Sequence, residues 1–127
     1  MRFAHFSDCH LGSWNNHPEL RELSVKTFEA SIDSCISENV DFILISGDLF
    51  DTSLPPVDIL RRAVIKFRHC RESGIEIYVI PGSHDFSPTG KTFINVLEEA
   101  GTSSRNRKIR FLINPFYVDR PPVTTLY

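Results

Sequence analysis

One stretch of ten residues constrains the fold more than any other, because it joins an apolar run to a Gly-Asp pair. It reads FILISGDLFD and occupies residues 42–51. Four apolar residues in succession, two of them isoleucine, predict a strand that is buried on both faces. Gly47 has no Cβ and allows a tight turn after this strand. Asp48 then lies at the carboxyl end of a strand, where open α/β sheets bind their ligands.

Two other stretches repeat this arrangement of a β-rich run followed by metal-capable side chains. FAHF at residues 3–6 leads into SDCH, and IYVI at residues 77–80 leads into PGSHD. The segments between the three stretches carry apolar residues at helical spacing, which gives the order β-α-β-α-β. That order predicts a parallel sheet with right-handed crossovers. The three strand ends would then meet at one edge of the sheet.

Three helices and a fourth strand complete the predicted α/β fold. The helices are expected at residues 19–38, 57–72 and 91–100, and the strand at residues 109–113, whereas residues 114–127 show no clean periodicity. Each of the two longer helices carries a stripe of apolar residues at helical spacing. The stripes are Leu20, Leu23, Phe28, Ile32, Cys35 and Ile36 in the first helix, and Val57, Leu60, Val64, Phe67 and Cys70 in the second.

Composition limits the class of protein. The 127 residues are enough for one domain, and 41% hydrophobic and 24% charged residues are ordinary for a soluble protein. A formal net charge of −2 provides no global basic field for nucleic acid. The three scattered cysteines favour a reducing compartment, and no apolar run approaches the ~18 residues of a membrane span. The first strand also begins too close to Met1 for a signal peptide, so we expect a cytoplasmic protein.

The polar residues at the three strand ends are candidates for a metal site. Asp8 and His10 are two apart in an extended segment and point the same way. Taken singly, these motifs are better explained by caps and turns than by metal binding. Asp51 could be a second ligand, but a residue that opens the following loop explains it adequately. Their occurrence after three strands of one frame favours metal binding. Mixed carboxylate and imidazole ligands suit Mn, Fe or Zn, and a carboxylate able to bridge suggests two metals about 3.5–4 Å apart.

The three strand ends resemble the first three motifs of the calcineurin-like metallophosphoesterases. The matching residues are Asp-x-His at residues 8–10, Gly-Asp at 47–48 and Gly-Ser-His-Asp at 82–85. The longer strings FAHFSDCHLG, ISGDLFD and GSHDF resemble those of SbcD-type, or meiotic-recombination, nuclease subunits of double-strand-break repair. The resemblance covers roughly residues 1–111. It implies the N-terminal half of an α/β/β/α sandwich, with a mostly parallel sheet flanked by helices and residues 112–127 as an unassigned tail.

This resemblance also implies roles for individual residues. Asp8 and His10 would hold a first divalent metal, foremost Mn, and Asp48 would bridge it to a second. Ser83 stands where the family usually has an asparagine ligand for the second metal, and His84 would be the catalytic histidine. His17 matches a histidine of some relatives, although a surface-loop histidine explains it more simply.

One departure from the family affects the expected activity. The family has two further histidine motifs downstream, but no histidine follows His84 in this sequence. We therefore expect an incomplete second metal site in a truncated chain, without the second half of the sandwich or the DNA-contacting cap.

The resemblance implies a metal-dependent DNA nuclease that works with an SMC-like ATPase subunit and forms a homodimer through Leu60 and Val96. Two alternatives remain open. The chain could be a catalytically incomplete fragment that acts only in subunit association, or a small-molecule phosphodiesterase of the same superfamily.

Overall fold

The computed structural model describes residues 1–85 and, beyond them, the backbone of residues 109–111. Four strands form one parallel sheet in the order β1-β2-β3-β4, and two helices connect the first three strands. The prediction of an α/β fold with a parallel sheet is therefore confirmed. The elements are β1 (Phe3–Ser7), α1 (Pro18–Ser37), β2 (Phe42–Ser46), α2 (Val57–Glu72), β3 (Glu76–Ile80) and β4 (Ile109–Phe111). The predicted helix at residues 91–100, including Val96, and the tail lie outside the described residues.

The core lies between the two helices and one face of the sheet. Because side chains alternate along a strand, every second residue of β2 and β3 points at the helices. These residues are fully buried, as is one continuous stripe along each helix. The core residues are Ile43, Ile45, Ile77 and Val79 from the strands, Val25, Phe28, Ile32 and Cys35 from α1, and Ile59, Ala63, Phe67 and Cys70 from α2.

The other face of the sheet is only partly covered, so the prediction that β2 is buried on both faces is wrong. Phe42 and Leu44 are half-buried, in contrast to the fully buried Ile43 and Ile45. Right-handed crossovers between successive parallel strands place both helices on the same side. On the open side the Phe42 ring stacks on Phe3 with centroids 5.2 Å apart and meets Tyr78 edge-on at 5.8 Å.

The predicted apolar stripes are wrong at the beginning of each helix. Leu20 and Leu23 are 44% and 60% exposed, and Val57 is 77% exposed. In α1 the buried stripe begins at Val25, and a residue two positions away lies about 200° around the helix. Leu23 therefore faces solvent.

Both helices end in the same way and deliver the chain into the next strand. Asn39 follows α1 with φ 50°, and Gly74 follows α2 with φ 84°. After α1 the N–H of Val40 donates to the Cys35 carbonyl at 3.2 Å, and after α2 the N–H of Ile75 donates to the Cys70 carbonyl at 2.9 Å. These are Schellman motifs, and they confirm both predicted helix ends.

Candidate metal centre

The three strand ends lie side by side at the carboxyl edge of the sheet. Ser7 pairs with Ser46, and Ser46 pairs with Ile80, so the strands β1, β2 and β3 end at the same level. One further residue continues the ladder, because the N–H of Asp8 donates to the Gly47 carbonyl at 3.3 Å. The parallel register thus brings the three predicted motifs together. We call the segments that follow β1, β2 and β3 the first, second and third loops.

The first and second loops turn through residues with left-handed backbone conformations. Asp8, His10 and Asp48 have φ values of 52°, 44° and 44°, and Gly47 has 82°. Aspartate and histidine adopt this region more readily than most residues, yet it still costs roughly 1–2 kcal/mol relative to a right-handed backbone. A hydrogen bond from the His10 N–H to the Asp48 carbonyl, 2.9 Å long, joins the two turns.

Two overlapping groups of side chains could hold a cation. Asp8, His10 and Asp48 offer ligand atoms that all lie within 4.8 Å of one another, and so do His10, Asp51 and His84. The buried Nδ1 of His10 lies 3.2 Å from the Asp51 carboxylate but makes no hydrogen bond of good geometry among the described residues. An orphaned imidazole nitrogen among carboxylates fits a divalent transition metal. The residues present therefore suit the metal that the sequence predicts.

His84 is fixed to the second loop at two points. Its backbone N–H donates to the Asp48 carboxylate at 2.8 Å, and its Nδ1 lies 2.8 Å from the Asp51 carbonyl oxygen. A carbonyl oxygen can only accept, so Nδ1 carries the proton of this hydrogen bond. The bond raises the pKa of His84, and the nearby carboxylates of Asp48, Asp51 and Asp85 raise it further against partial desolvation.

The remaining predicted residues occupy different positions. Ser83 is exposed in the third loop beside His84, and its role as a ligand stays a prediction. His17 is exposed at the start of α1, where its carbonyl accepts the Arg21 N–H at 3.0 Å, in keeping with a loop residue. Leu60 is half-buried on α2 and packs against the core. A dimer role for Leu60 and Val96 also stays a prediction.

Two carboxylates of the centre do not stand out in the sequence as part of it. Asp51 is predicted to open a loop, yet it contacts both histidines of the centre. Asp85 is 2% exposed and is the only buried charged residue in the described part of the chain. Its carboxylate accepts three backbone N–H groups, and burial raises its pKa against their effect. Both residues belong to the quoted motifs, but backbone partners leave no signal in a sequence.

Cys9 lies between the predicted ligands Asp8 and His10 but is outside both candidate cation groups. Burial, followed by the charges of Asp85 and Asp8, raises the pKa of its thiol to about 11. Neither of the two groups of side chains that could hold a cation includes Cys9. All three cysteines are free.

Among the described helices, none has the length and apolar character needed to cross a membrane.

Comparison with known proteins relates this centre to a family. The profile of the calcineurin-like phosphoesterases matches residues 1–121. DNA double-strand break repair protein Mre11 of Archaeoglobus fulgidus is 33% identical over 102 residues, which cover 80% of this chain and 23% of the relative. The Mre11 protein of Sulfurisphaera tokodaii is 41% identical over 102 residues, covering 77% of this chain and 26% of the relative.

Similarity extends along nearly all of the chain in another relative. Mre11 of Methanocaldococcus jannaschii is 29% identical over an alignment of 127 positions, gaps included, which covers 92% of this chain and 35% of the relative. The chain thus spans between about a quarter and a third of the length of these relatives. Because the family profile matches almost the whole sequence, the chain belongs to the calcineurin-like phosphoesterase family.

Proposed function

We propose that this protein is a metal-dependent phosphodiesterase that hydrolyses DNA, of the type used in double-strand-break repair. The observation that carries the proposal is the donor set of Asp8, His10 and Asp48 at one sheet edge, with His84 hydrogen-bonded to Asp48. The role of the relatives in DNA double-strand break repair supports DNA as the substrate.

Asp8, His10 and Asp48 would hold a divalent cation, and Mn²⁺ is our first choice. A bound divalent cation supplies an activated water and neutralises charge on the phosphate. Asp48 would be shared with a second cation, for which Ser83 is a weak ligand and no later histidine is available in this sequence. On its own, the chain should therefore bind one cation well and a second poorly.

His84 would be the general acid of the reaction. Its Nδ1 is occupied by the Asp51 carbonyl, so Nε2 is the nitrogen that can donate to the phosphate or to the leaving oxygen. A raised pKa keeps this imidazole protonated closer to neutral pH, which suits proton donation. Asp51 would hold the ring in place through its backbone and thus act as a positioning residue.

Calorimetric titration with Mn²⁺ and hydrolysis assays test the proposal together. The wild type should bind about one Mn²⁺ per chain, as an open site with three protein ligands would. Weak Mn²⁺-dependent cleavage of single- or double-stranded DNA should disappear in Asp48→Asn and in His84→Ala, but only Asp48→Asn should lose the metal. Asp41→Asn is the matched control, because Asp41 lies at the opposite end of β2. Cleavage that survives in both variants would rule out this centre.

The assembly of the protein is a further part of the proposal. We propose a homodimer in which Leu60 and Val96 contribute to the interface, and an SMC-like ATPase subunit as a partner. Leu60 is half-buried on α2, so part of its surface is open to a partner. Light scattering should show a dimer that Leu60→Ser converts to a monomer, whereas Val57→Ser on the same helix should have no effect. A wild type that is monomeric at high concentration contradicts the dimer.

The same assays separate the two alternatives. Hydrolysis of a chromogenic phosphodiester without any cleavage of DNA would favour a small-molecule phosphodiesterase. Metal binding without hydrolysis of either substrate, in a chain that still associates, would favour a role in association only.

A cytoplasmic location also belongs to the proposal, supported by the three free cysteines.

A further inference from the structure

The carboxylate of Asp85 connects the second and third loops of the centre. It lies on the third loop and is 2% exposed. From the second loop it accepts the N–H groups of Leu49 at 3.1 Å and Phe50 at 3.0 Å. From its own loop it accepts the N–H of Gly82 at 2.9 Å. One buried side chain thus binds the backbone on both sides of the gap between the loops.

Asp48 makes the reverse connection. It lies on the second loop, and its carboxylate accepts the N–H of His84 from the third loop at 2.8 Å. Each of the two loops therefore contributes a carboxylate that accepts hydrogen bonds from backbone N–H groups of the other loop. They also pack so closely that a Cβ on Gly82 would overlap the Asp48 carboxylate and backbone nitrogen.

Stability of the fold alone does not explain a buried carboxylate at residue 85. Burial of a carboxylate carries a large desolvation penalty, which hydrogen bonds to three N–H groups only partly offset. No cation contacts Asp85 among the described residues, and an apolar side chain of similar size would often stabilise such a position better. What the carboxylate gives instead is a fixed direction for the backbone on either side of Asp48.

We propose that Asp85 is a positioning residue that fixes the predicted ligand Asp48 and the predicted general acid His84 relative to each other. This inference rests on the proposed function. Asp85 touches neither the metal nor the substrate in this proposal. It acts through Leu49 and Phe50, which directly follow Asp48 in the chain.

Asp85→Asn tests the proposal, because the amide keeps only one of the two acceptor oxygens. Its NH₂ group cannot accept a hydrogen bond from the backbone N–H groups of the loops. The variant should bind Mn²⁺ about tenfold or more weakly, as is usual when a residue that orients a metal ligand is changed. The backbone N–H of His84 should exchange faster with solvent, although Asp85 does not bind it. The kcat for the phosphodiester should fall while KM stays near its wild-type value. Asp41→Asn is the matched control, since Asp41 accepts the Arg2 N–H at 2.6 Å at the other edge of the sheet.

Asp85→Glu provides a second variant that retains the charge but moves it by one methylene. It should show the same pattern to a smaller extent. The proposal is overturned if a folded variant keeps wild-type Mn²⁺ affinity and His84 exchange, and equally if both variants fail to fold, since Asp85 would then be a stability residue. If the wild type binds no Mn²⁺, the proposed function fails separately, and the His84 exchange rate alone decides whether Asp85 positions this loop.

Discussion

The Nδ1 atom of His84 lies 2.8 Å from the carbonyl oxygen of Asp51, so the backbone of one loop holds the imidazole of another. A backbone acceptor cannot be removed by changing a side chain. The orientation of the ring therefore depends on the path of the second loop rather than on the chemical identity of residue 51. Substitution of Asp51 can therefore separate the effect of its carboxylate on the His84 imidazole from the effect of its carbonyl.

The pKa of His84 should lie above its ordinary value in the metal-free protein and should remain above it in Asp51→Asn. The hydrogen bond to the carbonyl is the largest cause of the rise and survives this substitution, whereas the attraction of the Asp51 charge is lost. NMR titration of the ring protons measures both values. The raised pKa should favour the folded state below the ordinary histidine pKa, and this contribution should disappear as pH rises through the folded pKa. A wild-type pKa at or below the ordinary value would contradict the prediction.

Gly82→Ala should destabilise the centre through a direct clash. A Cβ at residue 82 would overlap the carboxylate and backbone nitrogen of Asp48, and forcing atoms into a packed site costs about 1–3 kcal/mol. Urea unfolding should show this loss, and Mn²⁺ affinity should fall with it.

Gly12→Ala separates that clash from backbone strain. Gly12 has φ 93°, but a Cβ added there would have ordinary space, with the nearest atom on Pro56 at 3.6 Å. The variant should lose stability while its Mn²⁺ affinity stays close to that of the wild type. Equal Mn²⁺ affinities in the wild type, Gly82→Ala and Gly12→Ala would show that the third loop can shift to relieve the clash.

The ion pair between Arg62 and Glu29 should stabilise the packing of α2 on α1 by a modest amount. Two N–H groups of Arg62 contact the two oxygens of Glu29 at 2.8 and 2.7 Å. Because this bidentate pair is partly exposed to solvent, we expect about 0.5–1 kcal/mol of coupling in a double-mutant cycle with Arg62→Met and Glu29→Gln, which each remove the ion pair. The coupling should decrease in high salt.

The same pair predicts a pH dependence of stability. The hydrogen bonds from Arg62 are the main cause that lowers the pKa of Glu29 below 4.5. The stabilisation should be complete above that value and should decrease as pH falls through the folded pKa. Glu29→Gln should flatten this part of the curve of unfolding free energy against pH. An unchanged acid limb in the variant would argue against the pair.

The residues that follow the two helices should both be sensitive to alanine, because both have left-handed backbones. Asn39→Ala and Gly74→Ala place a Cβ on a left-handed backbone without the local hydrogen bonding of asparagine, and each should cost about 1 kcal/mol in unfolding free energy. Asn39→Gly should be close to neutral. Thermal unfolding compares the three variants, and a stable Gly74→Ala protein would mean that the end of α2 has rearranged.

Most of the fold could be predicted because local patterns and topology agree. The bounds of α2 match the prediction, since Gly74 ends the helix, and β3 contains the predicted apolar run at residues 77–80. The parallel order then brings the three strand ends together without further information. The burial of individual residues was harder to predict, because Leu23 and Phe42 depend on which side the neighbouring helices cover.

The candidate site could be predicted only for residues whose own side chains are suited to bind a metal. Asp8, His10 and Asp48 follow from residue type and position after a strand. The contacts of Asp51 and Asp85 are harder to predict, because His84 binds the backbone carbonyl of Asp51 and the Asp85 carboxylate accepts backbone N–H groups. Their contributions depend on how closely two loops approach, which is a property of tertiary packing.

The parallel register has a practical consequence for handling the protein. Since the strands β1, β2 and β3 end in the candidate centre, they all begin at the opposite edge, roughly 17 Å away for five residues. Met1 lies at that edge and is 97% exposed. A fluorophore, affinity tag or surface tether attached at the amino terminus would leave the centre facing outward, accessible to a polymer as large as DNA.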